Sequence, residues 1–382
     1  MKNVHEVADL QRLASRRLPR MVAGFVDGGA DAETTLRANE ERFADVTFRP
    51  RSLVDVSGID HSVEVFGRTY ANPVMLAPAG LAKLVHPEGE LAAARAAAAA
   101  DAVLVLSTAS SYTVEEVAVA GGGPRWFQLY LWKSKEVVEA LVDRAAASGY
   151  EALVLTIDVP TVGKRVRDLR NGMTIPPKIG VATALDALRR PRWLGRFVRD
   201  RDITFANLRG ISDGDDAVAL ATYVDQNLID PSAGWEDLRW LRKLWQGPLL
   251  VKGVLTNDDA VRAVDAGADG VIVSNHGGRQ LDGAPAAIQA LPGVVAAVGE
   301  ETVVLLDGGV RRGQDVVKSV ALGATAVLVG RPWFWGLAVA GAVGVARMLE
   351  MLVTEIDRTL ALLGVSKLAA VDRTMVDVPE PW

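Results

Sequence analysis

Eight short, unbroken apolar runs punctuate the chain: Val74–Ala77, Val103–Leu106, Trp126–Leu129, Ala152–Thr156, Leu249–Val251, Val271–Val273, Val303–Leu306 and Val327–Val329. None alternates apolar with polar residues, so each reads as a strand buried on both faces, the signature of a parallel sheet. Helical patterns lie between them, over Glu88–Ala100, Lys135–Ala147, Trp235–Leu244, Asn257–Ala266, Pro285–Val298 and Gly313–Leu322. In Lys135–Ala147 the stripe is Val137, Val138, Leu141 and Val142. Strand and helix repeated eight times predict an α/β fold, a (β/α)8 barrel over about residues 74–363. Most strand starts lie between about 22 and 32 residues apart, as a strand–helix–strand unit requires. The step from Thr156 to Leu249 is far longer. It holds an insertion after the fourth strand, about residues 160–231, and a stretch that long reads as a lid. A helical extension (Val4–Arg17) and a Gly28–Gly29 turn precede the first strand. Residues 1–382 read as one domain.

Composition closes several routes. There is no cysteine, so disulfides, a thiol nucleophile, an iron–sulfur cluster and a zinc–thiolate site are excluded. The net charge of −5 does not suit a general nucleic-acid binder. No secretory leader is expected, because Lys2–Arg20 is too polar. The longest uncharged apolar stretch, Pro332–Ala346, is 15 residues, whereas a membrane-spanning helix needs about 20.

In such a barrel the chemistry collects where the strands' C-terminal ends meet their loops. The polar residues of this chain collect there. The strand ends carry, in order, Pro78-Ala79-Gly80, Ser107-Thr108, Gln128 with Tyr130, Thr156 with Asp158, Lys252, Ser274–Arg279, Asp307-Gly308-Gly309 and Gly330-Arg331. Gly308 and Gly309 let backbone N–H groups approach an anion, and Arg311 and Arg331 can neutralise it, so the last two loops read as a phosphate site. No G-x-G-x-x-G follows an early strand, so a Rossmann dinucleotide site is not expected. Lys252 leaves two roles open: a Schiff-base amine, as in an aldolase, or a charge that stabilises a developing anion. Of the four histidines, His276 is the candidate base, with Asp158 to orient it and Arg279 to hold a carboxylate. His5 and His61 lie in polar segments, and His86, before Pro87, reads as a helix-capping residue.

Ser274-Asn275-His276-Gly277-Gly278-Arg279-Gln280-Leu281-Asp282, together with Asp307-Gly308-Gly309-Val310-Arg311-Arg312-Gly313, resembles the FMN-dependent 2-hydroxy acid oxidase and dehydrogenase family. The resemblance runs from about Val4 to Gly364. The segments Trp235–Lys252, Ser107–Ser110 and Ile356–Leu360 are most similar to the branch of mandelate and bacterial lactate dehydrogenases. It implies FMN as cofactor and oxidation of an (S)-2-hydroxy acid to the 2-oxo acid. It implies His276 as base, Asp158 as its partner, Arg279 and Arg165 as the carboxylate clamp, and Tyr130 near the substrate oxygen. It places Lys252 by flavin N1. Pro78, Ala79, Gly80, Ser107, Gln128, Thr156 and Ser274 match flavin contacts, and Asp307, Gly309, Arg311, Gly330 and Arg331 match the ribityl and phosphate site. A homotetramer is a further implication.

Three positions depart from the family's pattern. Phe25 stands where a tyrosine usually helps hold the carboxylate, and one lost hydrogen bond costs on the order of 1 kcal/mol. Gly80 and Ala109 are smaller than their glycolate oxidase counterparts. The three together point to a wider, more apolar pocket and an aryl or long-chain substrate, against the alternative that neighbouring side chains fill the space. Within the insertion, Thr183–Arg201 has six arginines against two aspartates, and Trp193, Leu194, Phe197 and Val198 could share one helical face. Such a segment either lies on an anionic membrane surface, as the resemblance implies, or packs on its own barrel. The first suits a quinone as electron acceptor and the second suits oxygen. No cytochrome domain is expected ahead of the barrel. The expected location is the cytoplasm, or the inner face of the cell membrane.

Overall fold

The eight apolar runs close into one parallel barrel. The computed structural model describes residues 3–173, 180–199, 203–209 and 230–379. The barrel strands are β1 (Val74–Leu76), β2 (Leu104–Ser107), β3 (Arg125–Leu129), β4 (Ala152–Thr156), β5 (Leu249–Val254), β6 (Gly270–Val273), β7 (Val303–Asp307) and β8 (Ala326–Val329). Each pairs with the next, and β8 pairs with β1. Every residue of β1, β2, β4, β6 and β8 is buried. A fully buried Val or Leu contributes on the order of 1.5–3 kcal/mol, so short strands suffice once both faces are covered.

The helices begin and end where local chemistry directs. The extension supplies α1 (Val7–Arg17), α2 (Arg20–Asp27) and α3 (Thr34–Glu41). The first barrel helix, α4, runs Gly89–Ala99, with His86 Nδ1 accepting from the Glu88 N–H at 3.3 Å just ahead of it. Thr113 opens α5 (Val114–Gly121) with a capping box to Glu116, and Ser134 caps α6 (Lys135–Ala147). The helix expected from Pro285 starts instead at Ala287. Asn275 Nδ2 donates to the Pro285 carbonyl at 2.8 Å and holds that residue out of the helix.

The described parts of the insertion contain α7 (Val166–Arg170), α8 (Val181–Leu188) and α9 (Pro191–Arg199). The shared apolar face expected at Trp193, Leu194, Phe197 and Val198 divides. Trp193 stacks on Phe197 at 4.8 Å and donates to the Leu84 carbonyl at 2.7 Å, so these rings turn onto the barrel rim. On α8 and α9 the exposed large apolar residues are Val181, Leu185 and Leu188, one face of α8, with Val198 of α9. Residues 200 and 201 of the basic segment lie outside the described residues. Among the described residues no helix is long and apolar enough to cross a membrane.

Candidate active site

The strand ends converge on one cavity of about 270 Å³ at the C-terminal rim. It is lined by residues from the C-terminal parts of all eight strands and the loops that follow them, Lys252 of β5 among them, by α2 through Phe25 and by the insertion through Arg165 and Phe205. The expected residues Pro78, Ala79, Gly80, Ser107, Ala109, Gln128, Tyr130, Thr156, His276, Arg279, Asp307, Gly309, Arg311, Gly330 and Arg331 all face it. Two do not line it. Asp158 stands behind His276, and Ser274 is fully buried beneath the rim.

His276 follows β6 with a φ of 58°, a left-handed conformation uncommon outside glycine and frequent at functional sites. Its Nδ1 lies 2.9 Å from Asp158 Oδ1. Nε2 is the ring atom left for chemistry in the cavity. Burial alone would raise the Asp158 carboxyl, but the charge and hydrogen bond of His276, with Lys252 beyond, hold it below its ordinary value. Asp158 is therefore the carboxylate that an imidazolium needs beside it. A bulge in β5 makes room for it. Gly253 has a φ of 107°, and a side chain there would sit 2.6 Å from the Asp158 Cβ.

Lys252 Nζ lies 2.6 Å from Asp307 Oδ2 and 2.9 Å from Ser274 Oγ. Such an ion pair is the opposite of the apolar surroundings that free a lysine for Schiff-base chemistry. The aldolase alternative finds no support here. Asp307, expected at a ribityl and phosphate site, is engaged by this lysine while still lining the cavity.

The arginines divide the cavity into two anion poles. Arg279 Nη1 donates to the carbonyls of Phe25 and Gly28 at 2.8 and 2.9 Å, and its guanidinium lies 5.1 Å from the Phe25 ring centroid. Arg331 donates to Val26 and to the same Gly28 carbonyl. The C-terminal carbonyls of α2, the negative end of its dipole, thus hold one arginine of each pole. Burial, then Arg165 and Arg331, pull Arg279 well below its ordinary pKa, while Asp168 opposes the shift. Burial also lowers Arg165 and Arg331. So much crowded positive charge is relieved by bound anions. Burial raises Tyr130, and the charge of Asp158 adds to the shift, so its hydroxyl stays protonated and can donate.

In β7's loop Gly308 is required by its φ of 124° and Gly309 by space as well. Gly309 has a φ of 82°, and an added Cβ would lie 1.8 Å from the Asn39 carbonyl oxygen. Gly80 corrects the expectation of added room. A Cβ there would meet the Ala109 carbonyl oxygen at 2.7 Å and its Cβ at 2.8 Å. The missing methyl lets two loops touch and opens no space for a ligand.

Reasoning from sequence missed Leu81, Val162 and Phe205, which form much of the apolar wall. Phe205 sits in an insertion whose charge was the visible signal. It also missed Thr35 and Asn39 of α3, which carry no motif of their own.

Against known proteins, a family model described as FMN-dependent dehydrogenase matches residues 14–378. A putative L-lactate dehydrogenase of Mycobacterium tuberculosis is 41% identical over 94% of this chain and 86% of its own length. Glycolate oxidase 5 of Oryza sativa subsp. japonica is 43% identical over 98% of this chain and 96% of its own. Among solved structures, that of the monotopic membrane protein (S)-mandelate dehydrogenase superposes with a TM-score of 0.95 at 41% identity, covering 99% of this chain and 100% of that one.

Proposed function

The chain belongs to the family of FMN-dependent dehydrogenases, which makes it an FMN enzyme that oxidises a 2-hydroxy acid, and from that premise we propose that its substrate is an aryl or similarly bulky (S)-2-hydroxy acid such as mandelate. One observation carries the choice. Around the arginine pair the wall is apolar, built from Phe25, Leu81, Ala109, Val162 and Phe205. A small hydroxy acid would leave that surface wet, whereas an aromatic ring buries it at about 25 cal/mol per Å².

The residues fit FMN. Gln128 Oε1 is taken by the Ser107 hydroxyl at 3.1 Å, and Gln128 Nε2 is buried with no partner at the cavity wall. A buried orphan donor calls for an acceptor, and a flavin ring supplies several. Arg311 and Arg331, with the backbone of Gly309 and Gly330, would hold the phosphate at the start of the helix Arg331–Ala340. Lys252 would face the ring where negative charge develops. When bound, FMN supplies the acceptor for two electrons. The chain's own residues do the rest. Arg279 and Arg165 hold the substrate carboxylate, Tyr130 donates to the substrate oxygen, and His276 Nε2 takes the proton while Asp158 steadies the imidazolium.

The test is the visible spectrum of the purified protein before and after (S)-mandelate without oxygen. Bleaching of a yellow protein at low substrate, with much weaker response to glycolate, is expected. A yellow protein that glycolate bleaches at least as readily as mandelate would overturn the substrate choice. Admitting air then separates an oxidase, which recolours and releases hydrogen peroxide, from a dehydrogenase.

The α8–α9 edge supports a contact with an anionic membrane surface and hence a quinone acceptor. Val181, Leu185 and Leu188 face outward beside exposed Arg189, Arg192, Arg196 and Arg199, while Asp186 turns inward to accept from the Arg20 N–H. Apolar residues rimmed by arginine suit a lipid interface. Co-sedimentation with phosphatidylglycerol vesicles, weakened by salt, is the expected outcome. Equal recovery in the supernatant with and without vesicles would remove the proposal.

A further inference from the structure

The loop that carries His276 is held in a strained shape by a helix that lies outside the barrel and never touches the cavity. Three successive residues, His276, Gly277 and Gly278, have φ values of 58°, 65° and 71°. From the barrel side, Ser274 Oγ accepts from the His276 N–H at 3.0 Å and from Lys252, and donates to Asp307 at 2.8 Å. From the outer side the loop meets α3. Thr35 and Asn39 sit one turn apart on one face of that helix, 0% and 1% exposed.

Their polar atoms are spent on this loop. The amides of Asn39 and Asn275 bond each other in both directions at 2.8 Å. Asn275 Oδ1 also accepts from the Gly278 N–H at 3.0 Å, which closes the turn around His276. Asn39 Oδ1 accepts from the Ala287 N–H at 3.1 Å. The Thr35 hydroxyl donates to the Ala284 carbonyl and accepts from the Gly283 N–H, both at 2.9 Å. Asp282 returns the contact. Its carboxylate accepts from the Thr35 and Ala32 N–H groups at 2.8 and 3.0 Å, at the start of a helix whose own N-cap, Glu33, provides no side-chain cap. The approach is tight, since a Cβ on Gly278 would lie 2.5 Å from the Leu36 nitrogen.

Two buried polar side chains at helix spacing would be costly in a wall meant only for packing. Here both are satisfied: Asn39 reaches Asn275, next to the base, and Thr35 reaches Gly283 and Ala284 farther along the same loop. We propose that Asn39 and Thr35 are positioning residues for the oxidation, holding His276 in its left-handed conformation and its Nε2 in line with the substrate; this rests on His276 being the base. Without the Asn39 amide, Asn275 Oδ1 loses one of its two donors and the turn is free to relax. A displacement of about 1 Å at a reacting group can cost on the order of 10²-fold in rate.

The experiment uses the FMN-loaded protein and (S)-mandelate, or (S)-lactate where the parent prefers it, mixed rapidly without oxygen. For Asn39→Ala and Thr35→Val, bleaching at saturating substrate is expected to slow by about 10- to 10²-fold. FMN content and substrate half-saturation should stay within a few-fold of the parent. The kinetic isotope effect with the 2-deuterated acid is expected to rise, which a loss of folded protein alone would not cause. Thr35→Ser, which keeps the hydroxyl, is expected to recover most of the rate. Should Asn39→Ala fail to fold, the Thr35 pair carries the same test. The proposal is overturned if the variants bleach at the parent's rate, or if their loss merely tracks lost FMN. His276→Asn run alongside separates the two ideas: a full rate in that variant removes the base reading itself, whatever Asn39 does.

Discussion

Replacing His276 with asparagine slows bleaching of the bound FMN by the 2-hydroxy acid by about 10²- to 10⁴-fold, the usual contribution of a positioned general base. Asparagine is the informative choice. It tolerates the left-handed backbone at this position better than most residues, so the fold and the FMN content are expected to survive. Its amide is too short and too weakly basic to take the proton. Asp158, held below its usual carboxyl pKa by the imidazole and Lys252, becomes a carboxylate without its main partner. Burial is then opposed mainly by Lys252, so the Asp158 pKa is expected to rise from its value in the parent. A His276→Asn protein that bleaches at the parent's rate would end the assignment.

The second large effect is expected at Arg279. Arg279→Met removes one fork of the carboxylate clamp from a buried site. Truncating one member of a buried, hydrogen-bonded charge pair costs about 2–5 kcal/mol, or roughly 30- to 4000-fold in kcat/KM at about 1.4 kcal/mol per decade. The loss should fall on the acid and spare its neutral methyl ester. If ester and acid lose equally, Arg279 acts through packing, since it also holds the Phe25 and Gly28 carbonyls. Arg279→Lys should recover little, because a point charge cannot reproduce the planar fork. The Gly28 carbonyl keeps one donor in either variant, from Arg331, so the phosphate pole is expected to keep FMN.

Much of this was legible in the chain. Continuous runs such as Ala152–Thr156 are buried on both faces whatever their neighbours, and β4 occupies those residues without change. Lys135–Ala147 and Trp235–Leu244 also match helix for helix, because Ser134 and the first-turn acids mark their starts. The rim residues were legible because a strand's C-terminal end is fixed once the strand is known. His86 reads as a capping residue from its place before Pro87, and it accepts the Glu88 N–H. Where the sequence misled, the contact was distant. Gly80 suggested room, and the Ala109 backbone fills it. Trp193 left a lipid-facing and a barrel-facing reading open, and its bond to the Leu84 carbonyl turns it onto the barrel.

Local patterns along the chain are enough to set the barrel, the order of its strands and which polar groups reach its C-terminal rim, because hydrophobic period, caps and turn glycines are local properties. The tertiary structure alone decided how those groups are held. Arg279 and Arg331 share one carbonyl of α2, Asp158 packs against a bulge at Gly253, and Asn39 locks the loop of His276 from residues more than 200 positions away. No local pattern encodes such pairings, since a buried amide or guanidinium shows its partner only when the chain has closed and each polar group must find an acceptor away from water.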